Sequence, residues 1–88
     1  MNLVYTGRFK KDFKRIKRRN KDEKKLFDII DKLLTGERLP AKYEDHPLSG
    51  QWRGRRDCHI EPDWILIYFI SGDDLILERT GSHSDLFQ

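Results

Sequence analysis

The chain has 88 residues, 36% of them hydrophobic, and a net charge of +3. That length allows one domain, residues 1–88, with no second core, and a chain this short hides only roughly 60–65% of its unfolded surface. No stretch approaches the ~20 apolar residues that span a bilayer, the opening MNLVYTGRFKKDF lacks a secretory apolar segment, and the lone Cys58 excludes an intrachain disulfide.

Residues 3–6, LVYT, are β-prone and close at Gly7. Phe9, Phe13 and Ile16 then recur at i, i+4, i+7, one face of a helix. The remaining faces carry Lys10, Lys11, Lys14, Arg15, Lys17, Arg18 and Arg19. Residues 1–25 hold eleven Lys/Arg against three Asp/Glu, a net +8, whereas residues 26–88 carry −5. So one-sided a segment attracts polyanions, and RNA or DNA is the commonest in cytoplasm. Asn20 and Glu23 have the spacing of a capping box, predicting a second helix that starts at Asn20. Leu26, Phe27, Ile29, Ile30, Leu33 and Leu34 supply its apolar stripe, and Gly36 ends it. Two amphipathic helices joined so briefly predict an antiparallel hairpin.

Residues 39–54 read as loop, punctuated by Pro40, Pro47, Gly50 and Gly54. Residues 55–60 alternate, with Arg56, Cys58 and Ile60 on one face and Asp57 and His59 on the other. Cys58 reads as a small buried side chain. Glu61-Pro62-Asp63 turns the chain into WILIYFI at 64–70, apolar on both faces as a central strand would be. Residues 71–74 turn it again, and Leu75–Thr80 returns; the tail has length for a terminal turn or an edge segment. The order β-α-α-β-β-β predicts an α+β fold, a helix pair on one face of a small, mainly antiparallel sheet. Phe9, Phe13, Phe27 and Phe69 read as core.

The polar residues of the second half could do chemistry. If Cys58 faces the helices, His59 faces the open side of the sheet, with Asp63 at the end of the same hairpin. His46 and His83 lie in loops, and Arg79 sits among apolar neighbours in LILERTG. Its guanidinium needs either an ion-pair partner, with Glu78, Glu61 and Asp57 as candidates, or a phosphate to clamp. Trp52 and Trp64 flank this region and Phe87 lies near the end; an aromatic at a cleft rim suits base stacking, and Trp52 equally suits closing the core's edge. No regular metal-ligand set is visible. RNA carries its own nucleophile, so a base, an acid and a cation are enough to cut it without metal or cofactor. Histidine serves as either acid or base near neutral pH.

DHPLSGQWRGRRDCHIEPDWILIY and ERTGSHSDLF, in this order, resemble the YafQ branch of the RelE-type bacterial toxins, a likeness that runs over nearly the whole chain. The resemblance implies the RelE-like microbial RNase fold and a ribosome-dependent mRNA endonuclease held inactive by a cognate antitoxin; with the chemistry above, the expected cleavage is metal-independent. It implies a site of His46, His59, Asp63, Trp64, Arg79, His83 and Phe87. In that site His83 would be the general acid, His59 or Asp63 the base, Arg79 the phosphate ligand, and Trp64 and Phe87 the base contacts. The basic segment would dock on ribosomal RNA. The competing expectations are a non-catalytic RNA- or DNA-binding module of the same fold and a metal-dependent nuclease using His46, His59, His83 and Asp63.

Overall fold

The computed structural model describes residues 1–87. Strand β1 (Asn2–Tyr5) leads into helices α1 (Gly7–Arg18) and α2 (Glu23–Leu34), then strands β2 (His46–Pro47), β3 (Arg56–Glu61), β4 (Trp64–Ser71) and β5 (Asp74–Gly81), and a one-turn helix α3 (His83–Leu86). The five strands form one sheet in the order β1-β5-β4-β3-β2. Only β1 and β5 run parallel; the other neighbours are antiparallel. The expected α+β class therefore holds, and β4, apolar on both faces, is the central strand. One feature exceeds the expectation: His46 and Pro47, read as loop, pair with Asp57 and Arg56 as a short edge strand, while the tail forms the terminal turn expected of it, as α3.

Helix boundaries follow from local chemistry. Thr6 caps α1 by accepting the Phe9 N–H at 3.0 Å while its hydroxyl donates to the Glu78 carbonyl at 2.8 Å. The expectation that Asn20 starts α2 is wrong. Asn20 adopts φ 58°, and the N–H groups of Asn20 and Lys21 return to the carbonyls of Lys17 and Ile16. That is the Schellman closure of α1, and asparagine tolerates the left-handed conformation better than most residues. Asp22 caps α2 instead, accepting from Lys24 N–H at 3.1 Å. Gly36 does end α2 in the expected way, with φ 77° and the matching pair of bonds from Gly36 and Glu37.

One core lies between the helices and the sheet, built from Phe9, Ile16, Leu26, Ile29, Ile30 and Leu33 against Cys58, Ile60, Leu66, Tyr68, Leu75 and Leu77. Burial holds the Cys58 thiol protonated, its pKa pushed well up, so it packs as an apolar group. Phe27 departs from the expectation: it is 48% exposed, and Phe13 is only partly covered. A smaller cluster of Ile65, Ile67 and Leu86, with Leu48 and Trp52 packed on it, covers part of the other face. The rest of that face carries the polar residues.

A bulge in β5 decides which of them meet. Tyr68 opposes Leu77 but Ile67 opposes Arg79, leaving Glu78 as the extra residue. Strict alternation would send Arg79 into the helix-covered core with Leu75 and Leu77. The bulge turns it to the open face.

Candidate active site

His46, Asp57, Ile67 and Arg79 are successive cross-strand partners on β2, β3, β4 and β5, so they form one rung across four strands. At ~4.8 Å per strand spacing, that rung spans about 14 Å of backbone. His59 and Ile65 form the next rung, ending on Gly81 where α3 begins. The α3 turn lays His83 over this end of the sheet, with its ring centroid 5.5 Å from that of His59, edge to face, and 6.1 Å from that of Phe87.

Each histidine has its own carboxylate or carbonyl. Asp63, in the β3–β4 turn, accepts from the His83 backbone N–H at 2.9 Å and lies 2.6 Å from His83 Nδ1 through the same oxygen. These bonds, the backbone one first, hold the Asp63 carboxyl below its ordinary pKa. A proton on Nδ1 is thereby directed at Asp63, which leaves Nε2 as the nitrogen open to another group. His59, with 16% of its side chain exposed, has Nδ1 3.6 Å from Glu44 Oε2. His46 Nδ1 is shared between the Glu44 carbonyl at 2.8 Å and Asp57 Oδ1 at 3.0 Å.

Asp57 was not expected at the centre of this group. It is 3% exposed, and burial raises its pKa while the nearby imidazoles of His46 and His59 oppose the rise. The Glu44 carbonyl takes the His46 Nδ1 hydrogen bond, and Asp57 Oδ1 has no well-formed hydrogen bond. A folded-state pKa above the unfolded value means that the ionised form costs stability once pH exceeds the ordinary carboxylate range. Asp57→Asn is therefore expected to raise Tm at pH 7 by about 4–8 °C, a gain on the order of 1 kcal/mol, and to lower cleavage by about tenfold or more. Thermal denaturation beside a cleavage assay checks this; a variant both less stable and fully active would remove Asp57 from the site.

Arg79 meets none of its anticipated partners. Glu78 binds Arg55, Glu61 binds Lys21 and Lys25, and Asp57 faces His46. Arg79 instead makes a two-pronged pair with Asp12 of α1, Nε to Oδ2 at 2.7 Å and an Nη to Oδ1 at 2.8 Å. Asp12 is 1% exposed and also accepts the Thr80 N–H at 3.2 Å, a donor beyond the reach of β1, which stops opposite Leu77. The pair raises the Arg79 pKa and fixes the guanidinium through two of its nitrogens. Asp12 carried no sequence signal beyond being the one acidic residue in a basic helix.

Trp64 must be withdrawn as a base contact. It is 1% exposed, lies in the core, and donates through Nε1 to Thr80 Oγ1 at 2.9 Å. Nothing can stack on a ring so enclosed; its part is to tie β4 to β5 beside the site. Phe87, 38% exposed, keeps a free ring edge near His83. In the basic segment, Arg15 and Arg19 are drawn to Asp85 of α3, Arg19 at 2.7 Å. Lys10, Lys11, Lys14, Lys17 and Arg18 are exposed. Among the described residues no three His, Cys, Asp or Glu side chains are grouped as a metal-binding set.

The arrangement brings His46, His59, His83 and Asp63 into one cluster, with Arg79 across Ile67 from Asp57 on the same face. Comparison with known proteins shows which family shares this fold. A family model described as "Bacterial toxin of type II toxin-antitoxin system, YafQ" matches residues 1–88. The mRNA interferase toxin YafQ of Escherichia coli K12 is 47% identical over 87 residues, covering 98% of this chain and 95% of that protein. The E. coli DinJ–YafQ complex contains a chain 46% identical to this one, with TM-score 0.91 and coverage of 99% and 98%. A metal-bound toxin from Helicobacter pylori superposes with TM-score 0.93 at 38% identity, covering 99% of both chains. This chain therefore belongs to the YafQ family of bacterial toxins of type II toxin–antitoxin systems.

Proposed function

We propose that the chain, acting in the cytoplasm as one toxin domain over residues 1–88, is an mRNA interferase that cuts message on the ribosome by metal-independent acid–base catalysis. The observation that carries this reading is the His83–Asp63 pair set edge-on to His59. His59, or less directly His46, removes the 2′-OH proton. O2′ then bonds to phosphorus, the P–O5′ bond breaks, and the leaving oxygen takes a proton from His83 Nε2. A 2′,3′-cyclic phosphate and a 5′-hydroxyl end result. Arg79, steadied by Asp12, offers its remaining N–H groups to the phosphate as charge builds there. Asp63 is already engaged with two His83 donors, which favours His59 over Asp63 as the base.

The metal-bound Helicobacter relative motivates the alternative of metal-dependent cleavage. Against it, Nδ1 of His46 and of His83 already face acceptors within the protein. Message on programmed ribosomes, with magnesium held constant, is therefore expected to be cut at the same rate with and without a chelator selective for transition metals; activity lost to that chelator and restored by added transition metal would replace this mechanism. A non-catalytic binding module of the same fold would leave message intact in both arms.

The exposed cations of α1 are proposed to dock on ribosomal RNA. Neutralising phosphates releases counterions, so affinity should fall steeply with salt, about 10³-fold or more between 50 and 200 mM if six or more phosphates are contacted. Binding measured across that range checks it, and a flat profile would assign docking to shape alone. A cognate antitoxin, as in the DinJ–YafQ complex, is the proposed protein partner. No helix among the described residues is long and apolar enough to cross a membrane.

A further inference from the structure

Beside the histidine cluster, on the same face of the sheet, lies a groove of about 500 Å³ lined by Arg8, Trp52, Arg55, Glu78, Arg79 and Leu86, among others. That volume falls within the range of small-ligand clefts, roughly 300–1,000 Å³. Two of its walls are shared with the site. Arg79 lies one strand from Ile67 and two from Asp57, and Leu86 belongs to α3, which carries His83. Ser84 and Asp85, the residues that follow His83 on α3, also line it.

Its lining has the composition of a nucleotide site. The Trp52 ring is half-buried on Ile65, Ile67 and Leu86. The Arg8 guanidinium lies 6.0 Å from the Trp52 ring centroid and has no carboxylate partner among the described residues. The Arg55 guanidinium lies 4.5 Å from the Phe69 ring and is held by Glu78 Oε1 at 3.1 Å from both Nε and an Nη. Single-stranded RNA is gripped by this combination, an aromatic plane for the base and arginines for the backbone. The groove's own acids, Glu78 and Asp85, are already turned to Arg55 and to Arg19, so they present little free negative charge to a phosphate.

We propose that this groove binds the message nucleotide adjoining the scissile bond, its base against Trp52 and its phosphate between Arg8 and Arg55. The proposal rests on the nuclease reading above and extends it to a second position on the substrate. It also accounts for Arg79, which stands between the reacting phosphate and the neighbouring one.

The test uses ribosomes programmed with three messages: intact, abasic immediately 5′ of the cut, and abasic immediately 3′ of it. On the intact message, Trp52→Ala is expected to lower kcat/KM about 10- to 100-fold, the range for losing one base stack, with Trp52→Phe recovering most of it. The loss from Trp52→Ala should vanish on one of the two abasic messages, because the base it contacts is already gone. Arg8→Ala, at an exposed residue whose loss spares the fold, should weaken cleavage of all three messages about three- to tenfold. An equal Trp52→Ala loss on all three messages would place the ring against ribosomal RNA or in the core and overturn the proposal, as would a Trp52→Ala enzyme matching the unsubstituted chain on intact message. Failure of the nuclease reading is separately visible, since the unsubstituted chain would then leave every message uncut.

Discussion

His83→Ala is expected to reduce message cleavage by about 10²- to 10⁴-fold, the usual worth of a positioned general acid, while leaving ribosome binding and thermal stability nearly unchanged. The separation is possible because His83 is exposed and its side chain hydrogen-bonds only to Asp63, itself exposed. Removing the ring therefore opens no cavity and strands no buried group. Asp63→Asn should cost less, because it keeps an oxygen near Nδ1 and so still orients the ring. The Asp63 carboxyl titrates below its ordinary range, so the folded state keeps it ionised above that range and gives up the contact only as pH falls through the lowered value. Changes in rate between pH 6 and 8 would then not report this carboxylate. Single-turnover cleavage on programmed ribosomes, alongside a binding assay, is the measurement. A His83→Ala protein that cuts within threefold of the unsubstituted chain would remove His83 from the chemistry.

Asp12→Ala is expected to cost about 3–5 kcal/mol of folding stability, enough to lower Tm by roughly 15–30 °C in a domain of this size. Asp12 is buried and answers two Arg79 nitrogens and the Thr80 N–H, with Arg15 at 3.8 Å. Deleting it leaves a guanidinium only 11% exposed without its counter-charge and an edge N–H without an acceptor. Arg79→Ala should destabilise comparably by stranding Asp12. The double variant should then fall well short of the sum, since neither partner remains to be stranded. A loss of cleavage in Arg79→Ala would then have two sources, the proposed phosphate contact and a weakened fold, and thermal melts separate them. An Asp12→Ala protein that melts within a few degrees of the unsubstituted chain would show that the pair adds little to the fold.

The Trp64 correction and the Arg79 pair have one origin. In both cases residue type was informative and surroundings were not. A tryptophan beside a candidate site is as well suited to close a core as to receive a base. Its distance from solvent depends on how α1 and α2 lie on the sheet, which local pattern does not encode. Asp12 lies 67 positions from Arg79, and their meeting requires α1 to run beside the part of β5 that β1 leaves unpaired.

What the sequence determined by itself is whatever repeats over a few residues or is written as a long motif. The apolar run of β4 marked the central strand, alternation in β3 put Cys58 inward and His59 outward, Gly36 closed α2, and the second-half motifs identified the family. The tertiary structure alone decided the rest. It formed the bulge at Glu78 that turns Arg79 to the open face, and it used Asn20 to end α1 instead of starting α2. It also exposed Phe27, and it drew Asp57 among three histidines. Each of these depends on register between strands or on the path between elements. Such choices are made by the summed packing of the whole chain, to which any short window contributes only a small part.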